Sequence, residues 1–278
     1  MSKLKLSYIY QSIRYHLRPQ KKLKQDRKQI LLSQIDKNHL GLEIGPSHSP
    51  IAPRRDGFNV RILDYLNKPD LQKKYDSEGV DSSRIEDVDF VWQGQPYIDL
   101  VGEGTQFSWI ISSHNIEHMP NLIGFLLNCM SILQPGGILS LAIPDHRYVF
   151  DTARTPSPLS SIIDAHLRGD TFPSPGSIAE FFLRASSRSG LHSWTRDSPA
   201  ITSAAKRINP PNYAKERLDE FLKTKTYIDV HVWCFTPESF ISIIEDLISL
   251  GFLTDIEIAS QPQSIDGWEF FVCLRKKG

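Results

Sequence analysis

The stretch SSHNIEHMPN (112–121) contains His114-x-x-Glu117-His118, two imidazoles bracketing a carboxylate. That donor set can hold a metal and activate water, as in the inverted zinc-protease motif. The chemistry needs a continuous helix, so that residues four apart share one face. Here His114 directly follows the apolar run FSWIISS (107–113), and Pro120 disfavours helix at Met119. No acid-rich helix supplies an obvious third ligand. The expectation is no metal, and a pocket lip where a buried strand gives way to a loop, with Glu117 and His118 orienting that loop through hydrogen bonds.

A second chemical signal is LEIGPSHSP (42–50), in which an apolar run ends at Gly45. A glycine at a strand end lets a ligand approach the backbone closely. Asp64 closes the next apolar run, FNVRILD (58–64), nineteen residues after Gly45. In open α/β sheets an acid at that place accepts hydrogen bonds from ribose hydroxyls. An adenosine-bearing cofactor follows, and its kind depends on phosphate. A dinucleotide needs glycines and a helix N-terminus for its pyrophosphate. Ser47 and Ser49 occupy the glycine places, and Pro50, Pro53 and Gly57 leave little room for a helix. S-adenosylmethionine carries no phosphate, and its amino-acid and sulfonium groups suit an acid such as Glu43 beside exposed backbone.

These residues must be positioned by a sheet. HLGLEIG (39–45), FNVRILD (58–64), VDFVW (88–92), FSWIISS (107–113) and ILSLAIP (138–144) read as strands. DRKQILLSQIDK (26–37) and NLIGFLLNCMSIL (121–133) read as helices, the second capped by Asn121 and stopped by Pro135-Gly136-Gly137. PESFISIIEDLISLG (237–251) reads as a further helix capped by Thr236. LTDIEIAS (253–260) and WEFFVCLRKK (268–277) are strands too close for a crossover helix, so the last strand pairs antiparallel. The predicted architecture is a doubly wound, mostly parallel Rossmann-like α/β sheet of seven strands with an antiparallel C-terminal strand.

The expected organisation is a basic helical extension (1–38), a cofactor-binding half (39–151), an insertion or lid (152–230) and a closing part (231–278). Residues 155–203 hold eleven serines and five prolines with short helical pieces such as SIAEFFLRA (177–185), which breaks the α/β pattern.

In order, LEIGPSHSP, the acid of ILD (62–64), SSHNIEHMPN, LQPGGILSLAIPD (133–145) and the closing hairpin resemble class I S-adenosylmethionine-dependent methyltransferases. They look most like bacterial methyltransferase-domain proteins linked to glycan biosynthesis. The core resemblance covers 39–150 and 231–277, and PDHRYVFD (144–151) with HVWCFTPESF (231–240) resembles a narrower subgroup. It implies that Glu43, Gly45, Pro46 and Ser47 line the methionine part of S-adenosyl-L-methionine. Asp64 would take the ribose, Tyr65 would pack on adenine, and Trp92 and Gln93 would close the adenine pocket. Ser47 and Ser49 depart from the family's glycines, which bears on cofactor affinity. Ser108 stands where an aspartate often opens the fourth strand, which bears on local capping.

In that reading Ser113 and His114 face the transferred methyl, and His114 is the candidate base for a hydroxyl acceptor. Asp145 and His146 follow the fifth strand at the same sheet end as further catalytic candidates. Arg147, Tyr148, Asp151, His166 and His231 are candidates for binding a sugar or anionic acceptor. Arg54 and Arg55 in the first loop read as solvated.

Composition bounds the alternatives. The 278 residues are 40% hydrophobic and 23% charged with zero net charge, which gives no electrostatic footprint for nucleic acid. Residues 1–28 carry nine Lys/Arg against the single acid Asp26, a pattern that fits a solvated helix or an arm on an anionic membrane or acidic partner. MSKLKLSYIYQSIRYH is too polar for a signal peptide, and no apolar run reaches the roughly 20 residues of a spanning helix. Cys129, Cys234 and Cys273 sit apart in apolar runs, as buried reduced thiols of a cytoplasmic protein do. The activity expected is methyl transfer to an oxygen of a small molecule or glycan precursor. Its rivals are a catalytically silent cofactor-binding scaffold in surface-polysaccharide assembly and a nicotinamide-dependent oxidoreductase.

Overall fold

The computed structural model describes residues 20–278, with side chains from 26 onward. The basic segment 1–19, and with it most of the expected membrane- or partner-facing arm, lies outside the described residues.

The apolar runs form the sheet. Strands β1 (Gly41–Ile44), β2 (Val60–Asp64), β3 (Phe90–Val91), β4 (Phe107–Ser113) and β5 (Leu133–Pro144) pair in parallel. Two-residue strands β6 (Ser186–Ser187) and β7 (Lys206–Arg207) make a separate ribbon. Strand β8 (Ile256–Ile258) and β9 (Glu269–Lys276) complete the main sheet in the order β3-β2-β1-β4-β5-β9-β8. β9 runs antiparallel to both neighbours and slides between β5 and β8. The fold is the predicted doubly wound, Rossmann-like sheet of seven strands with one antiparallel member.

The helices are α1 (Gln20–Leu31), α2 (Lys68–Ser77), α3 (Tyr97–Val101), α4 (Leu122–Ile132), α5 (Leu159–Arg168), α6 (Pro175–Arg184), α7 (Pro211–Thr224) and α8 (Pro237–Ser249). Asn121 caps α4 by accepting from the Gly124 amide at 2.8 Å, and Thr236 with Ser239 forms the capping box of α8. The first helix ends at Leu31 rather than running to 37. Ser33 donates to the Ile30 carbonyl, and Asp36 accepts from the Asn38 amide, so local side chains turn the chain instead. Strand β5 begins five residues before the expected 138, because Leu133 already pairs with Phe107. Between β1 and β2 the proline-broken loop holds only a single tight turn, Arg54–Asp56.

Burial on both faces explains the near-continuous apolar strands. Within β4, Ile110 faces the larger core beneath α4 and α8, while Trp109 and Ile111 face the core beneath α1 with Ile62 and Phe271. The Ser140 hydroxyl donates to the Leu31 carbonyl at 2.8 Å, and the Trp109 indole donates to Asp36 at 3.0 Å, which fixes the end of α1 on the sheet. Residues 152–230 contain α5, α6, α7 and the small ribbon. Their C-terminal exit is tied to the β4 lip, where the Glu117 carbonyl accepts from the Val232 and Trp233 amides at 2.8 and 3.1 Å. All three cysteines are unpaired and buried. No described helix is long and apolar enough to cross a membrane.

The Trp109 indole lies across the first residue of β1, where a Cβ on Gly41 would stand 2.0 Å from the ring. Gly41→Ala is expected to destabilise the protein by about 1–3 kcal/mol, read as a lowered urea midpoint with unchanged slope.

Candidate active site

The carboxyl ends of β1, β2 and β3 gather the predicted cofactor residues on one edge. Gly45 and Ser47, on either side of Pro46, both take left-handed backbone, with φ of 65° and 50°. Ser47 thus keeps the conformation a glycine would adopt, although its Cβ makes that costly. The buried Glu43 carboxylate accepts from the Ile51 and Ala52 amides at 2.6 and 3.0 Å, so it staples the loop back onto β1. Burial pushes its pKa up to about 7 against the pull of those two amides and of Arg27 and Lys28.

Asp64 is also buried, and it accepts from the Tyr65 amide at 2.8 Å and from the Ser47 amide at 3.3 Å. It therefore joins the end of β2 to the turn after β1. Burial raises its pKa to about 6, with those amides opposing. Tyr65 is 45% exposed beside it, with the Lys74 ammonium 5.0 Å from its ring centre. Trp92 donates its backbone amide to the Asp64 carbonyl at 2.8 Å and its indole N–H to Gln95. Gln93 is exposed one residue further on.

At the end of β4, His114 takes left-handed backbone at φ 50°. A non-glycine residue there marks a place where surroundings override local preference. Its Nε2 lies 2.8 Å from Glu269 Oε2, its ring stacks on Trp268 at 5.2 Å, and its Nδ1 lies 3.7 Å from Glu117 Oε1. Glu269 also accepts from Arg27 Nε at 2.8 Å, and Arg27 reaches the Ser113 hydroxyl with a terminal nitrogen. Burial would raise the Glu269 pKa, but Arg27 and His114 outweigh it and hold the carboxyl below its usual range. Sequence reasoning missed both Glu269 and Arg27. Glu269 had a signal, an acid opening the otherwise apolar run EFFVCL (269–274). Arg27 had none among its basic neighbours, and it faces inward rather than into solvent. Lys28 pairs with Asp56 at 2.8 Å. Arg54, expected in solvent, instead donates to the Val60 and Asp87 carbonyls.

The residues after β5 are brought together differently from expectation. Asp145 is fully buried, with its oxygens on Arg147 at 2.8 and 2.6 Å and on the Arg147 amide. It caps the turn His146–Tyr148 by accepting from the Arg147 amide. Burial depresses the pKa of His146. Arg147 also lies 3.6 Å from Glu238 and over the Tyr148 ring. His166 meets the Asn121 cap at 3.1 Å and the edge of Phe252, as part of helix packing rather than of the pocket lip. Asp151 is buried between Arg154 at 3.0 Å and His231 Nδ1 at 2.6 Å. Burial opposes its ionisation, but those partners lower its pKa to about 2. His231 does reach the lip, with Nε2 3.9 Å from Glu117 Oε1. Glu117 orients the loop through its backbone carbonyl, not through its carboxylate.

No family model matches the chain, and no curated protein matches it. Among solved structures, the CcbJ methyltransferase from Streptomyces caelestis aligns at 8% identity and a TM-score of 0.46, over 91% of this chain and 95% of that one. The N-methyltransferase NodS from Bradyrhizobium japonicum, in complex with S-adenosyl-L-homocysteine, aligns at 11% and 0.40 over 93% and 87%. A candidate zinc-dependent alcohol dehydrogenase from Rhodobacter sphaeroides aligns at 13% and 0.46 over 91% and 89%. Likenesses this distant carry no functional assignment.

Glu43 generates a pH prediction. Its folded pKa of about 7 exceeds the ordinary 4.5, so the folded state holds the proton more tightly. The stabilisation is full below about pH 4.5 and is lost as pH rises through about 7, to the extent of about 3 kcal/mol. Urea unfolding of wild type and Glu43→Gln across that window should show the difference between them changing by that amount.

Proposed function

We propose that this protein transfers a methyl group from S-adenosyl-L-methionine to an oxygen of a small molecule or glycan precursor. The observation that carries the reading is Asp64, a buried acid at the end of β2 that holds the Ser47 amide of the turn after β1. That is where a ribose would be read in an open α/β sheet. The same edge supports a cofactor without phosphate, because the loop between β1 and β2 forms only the tight turn Arg54–Asp56 and offers no regular helix N-terminus. Tyr65 and Trp92 supply aromatic surface beside Asp64 for an adenine.

Bound at this edge, the cofactor would supply an electrophilic methyl group on a sulfonium. The chain's own residues would hold the acceptor in line and take its proton. His114 fits that second task. Glu269 at 2.8 Å fixes the ring on one side, as a carboxylate behind an imidazole stabilises the cation formed by proton uptake. Arg27 in turn holds Glu269 and Ser113, which keeps that carboxylate ionised. The preference for a glycan precursor rests on the sequence resemblance, and that for an oxygen acceptor on the base that a hydroxyl needs. The site chemistry adds only that a base is available.

The test is calorimetric titration of the purified protein with S-adenosyl-L-methionine and S-adenosyl-L-homocysteine. Binding near micromolar affinity is expected, with Asp64→Ala weakening it about 10- to 100-fold through loss of charged hydrogen bonds. Wild-type affinity should also fall as pH drops through about 6, where Asp64 takes up a proton. Absence of binding by either ligand would sink the reading.

A further inference from the structure

Beneath the pocket lip, three side chains from two distant parts of the chain converge. Glu117 Oε1 lies 3.9 Å from His118 Nε2 and 3.9 Å from His231 Nε2. One donor atom from each of the three lies within 4.8 Å of the other two, and all three residues are buried. The Glu117 side chain is 2% exposed, yet neither of its oxygens accepts a hydrogen bond among the described residues. A buried carboxylate left in that state is costly, so the position calls for a cation.

Each imidazole is backed by a carboxylate on its far side. His118 Nδ1 lies 2.8 Å from Asp229, and His231 Nδ1 lies 2.6 Å from Asp151, which Arg154 holds from behind. An outer carboxylate of this kind fixes the ring and turns the opposite nitrogen toward a metal. Here both Nε2 atoms are turned toward Glu117.

We propose that Glu117, His118 and His231 form a site for a divalent transition-metal ion, zinc foremost. Two imidazoles and one carboxylate suit zinc, cobalt or ferrous iron, whereas calcium and magnesium require mostly oxygen. Bonds of about 2.0–2.1 Å place tetrahedral donors about 3.3 Å apart, so the 3.9 Å separations must close by about half an ångström. Three protein ligands leave one position for an exchangeable group, the arrangement of catalytic rather than structural zinc. His114 Nδ1 lies 3.7 Å from the same carboxylate, and its side chain is 26% exposed. An acceptor oxygen held there beside His114 would be a role that rests on the methyl-transfer reading; metal binding does not. The competing occupant is a proton. Burial disfavours charge on His118, but Asp229 and Glu117 outweigh it and raise its pKa to about 9 without metal.

The test uses the full chain, stripped by chelator and titrated with Co²⁺ and then Zn²⁺. About one ion per chain is expected, with visible cobalt bands that zinc abolishes and a zinc-induced rise in thermal midpoint. Glu117→Gln and His231→Ala should lose both signals. Asp229→Asn, at a side chain that backs His118 without being a proposed ligand, should weaken binding about 10- to 100-fold. No cobalt spectrum and no zinc stabilisation in wild type would overturn the site in favour of the proton. Binding unchanged in Asp229→Asn and in whichever ligand variants fold would also overturn it, as adventitious metal. Calorimetry with S-adenosyl-L-methionine on the same samples separates the two proposals. Cofactor binding without metal sinks only this one, and metal without cofactor binding sinks only the other.

Discussion

Everything at the candidate site depends on the parallel pairing of β1 with β2 on one side and β4 on the other. The register sets Ile44 opposite Leu63 and opposite Ser112, so the three strands finish at nearly the same level. Parallel strands end together on one edge of a sheet, and there the backbone leaves its ladder and can turn toward a ligand. Gly45, Asp64 and His114 each follow one of those ends. The Gly45 amide donates to the Leu63 carbonyl and the His114 amide to the Ala142 carbonyl, which carries the pairing to the last residue before each turn. Left-handed backbone at Gly45, Ser47 and His114 is the local cost of stopping three strands at one level.

Burial then decides the electrostatics of that edge. Glu43 and Asp64 gain backbone amides but no close side-chain cation, and their pKa values rise. Glu269, Asp151 and Asp229 gain an arginine or histidine, and theirs fall. The distinction is physical. Dipoles from two amides offset only part of the desolvation of a carboxylate, whereas a full opposite charge within hydrogen-bond reach offsets all of it. Glu117 has different surroundings from both groups. Its side chain is 2% exposed, it faces three imidazoles at 3.7–3.9 Å, and it accepts no hydrogen bond among the described residues.

The chain outside the sheet serves that edge from both ends. Helix α1 delivers Arg27 to Glu269, 242 residues later in the chain, so the first residue of the antiparallel strand β9 is tied to the start of the fold. The exit from residues 152–230 delivers Asp229 to His118 and His231 to Glu117, anchored by the Trp233 indole on the Met119 carbonyl at 2.6 Å. These two covers bury the carboxylates Glu117 and Glu269 at the strand ends.

The seven-strand, mostly parallel sheet, its antiparallel last strand, the caps at Asn121 and Thr236, and the place of Asp64 at the end of the second strand were legible in the sequence. They follow from local rules, namely apolar runs ending in glycine or acid, a link too short for a crossover, and side chains that cap their own helix. The end of the first helix was not, because Ser33 and Asp36 turn the chain through hydrogen bonds that periodicity does not register. The partners of Asp145 and His166, Arg147 and the Asn121 cap, were not legible, because no spacing pattern pairs a side chain with them. The tertiary structure alone joined Arg27 to Glu269 and placed His231 beside His118. The reason is distance along the chain. A pair 242 or 113 residues apart leaves no spacing pattern, since its geometry is set by how sheet, helix and lid pack. The sequence determined which residues could act; packing decided which of them meet.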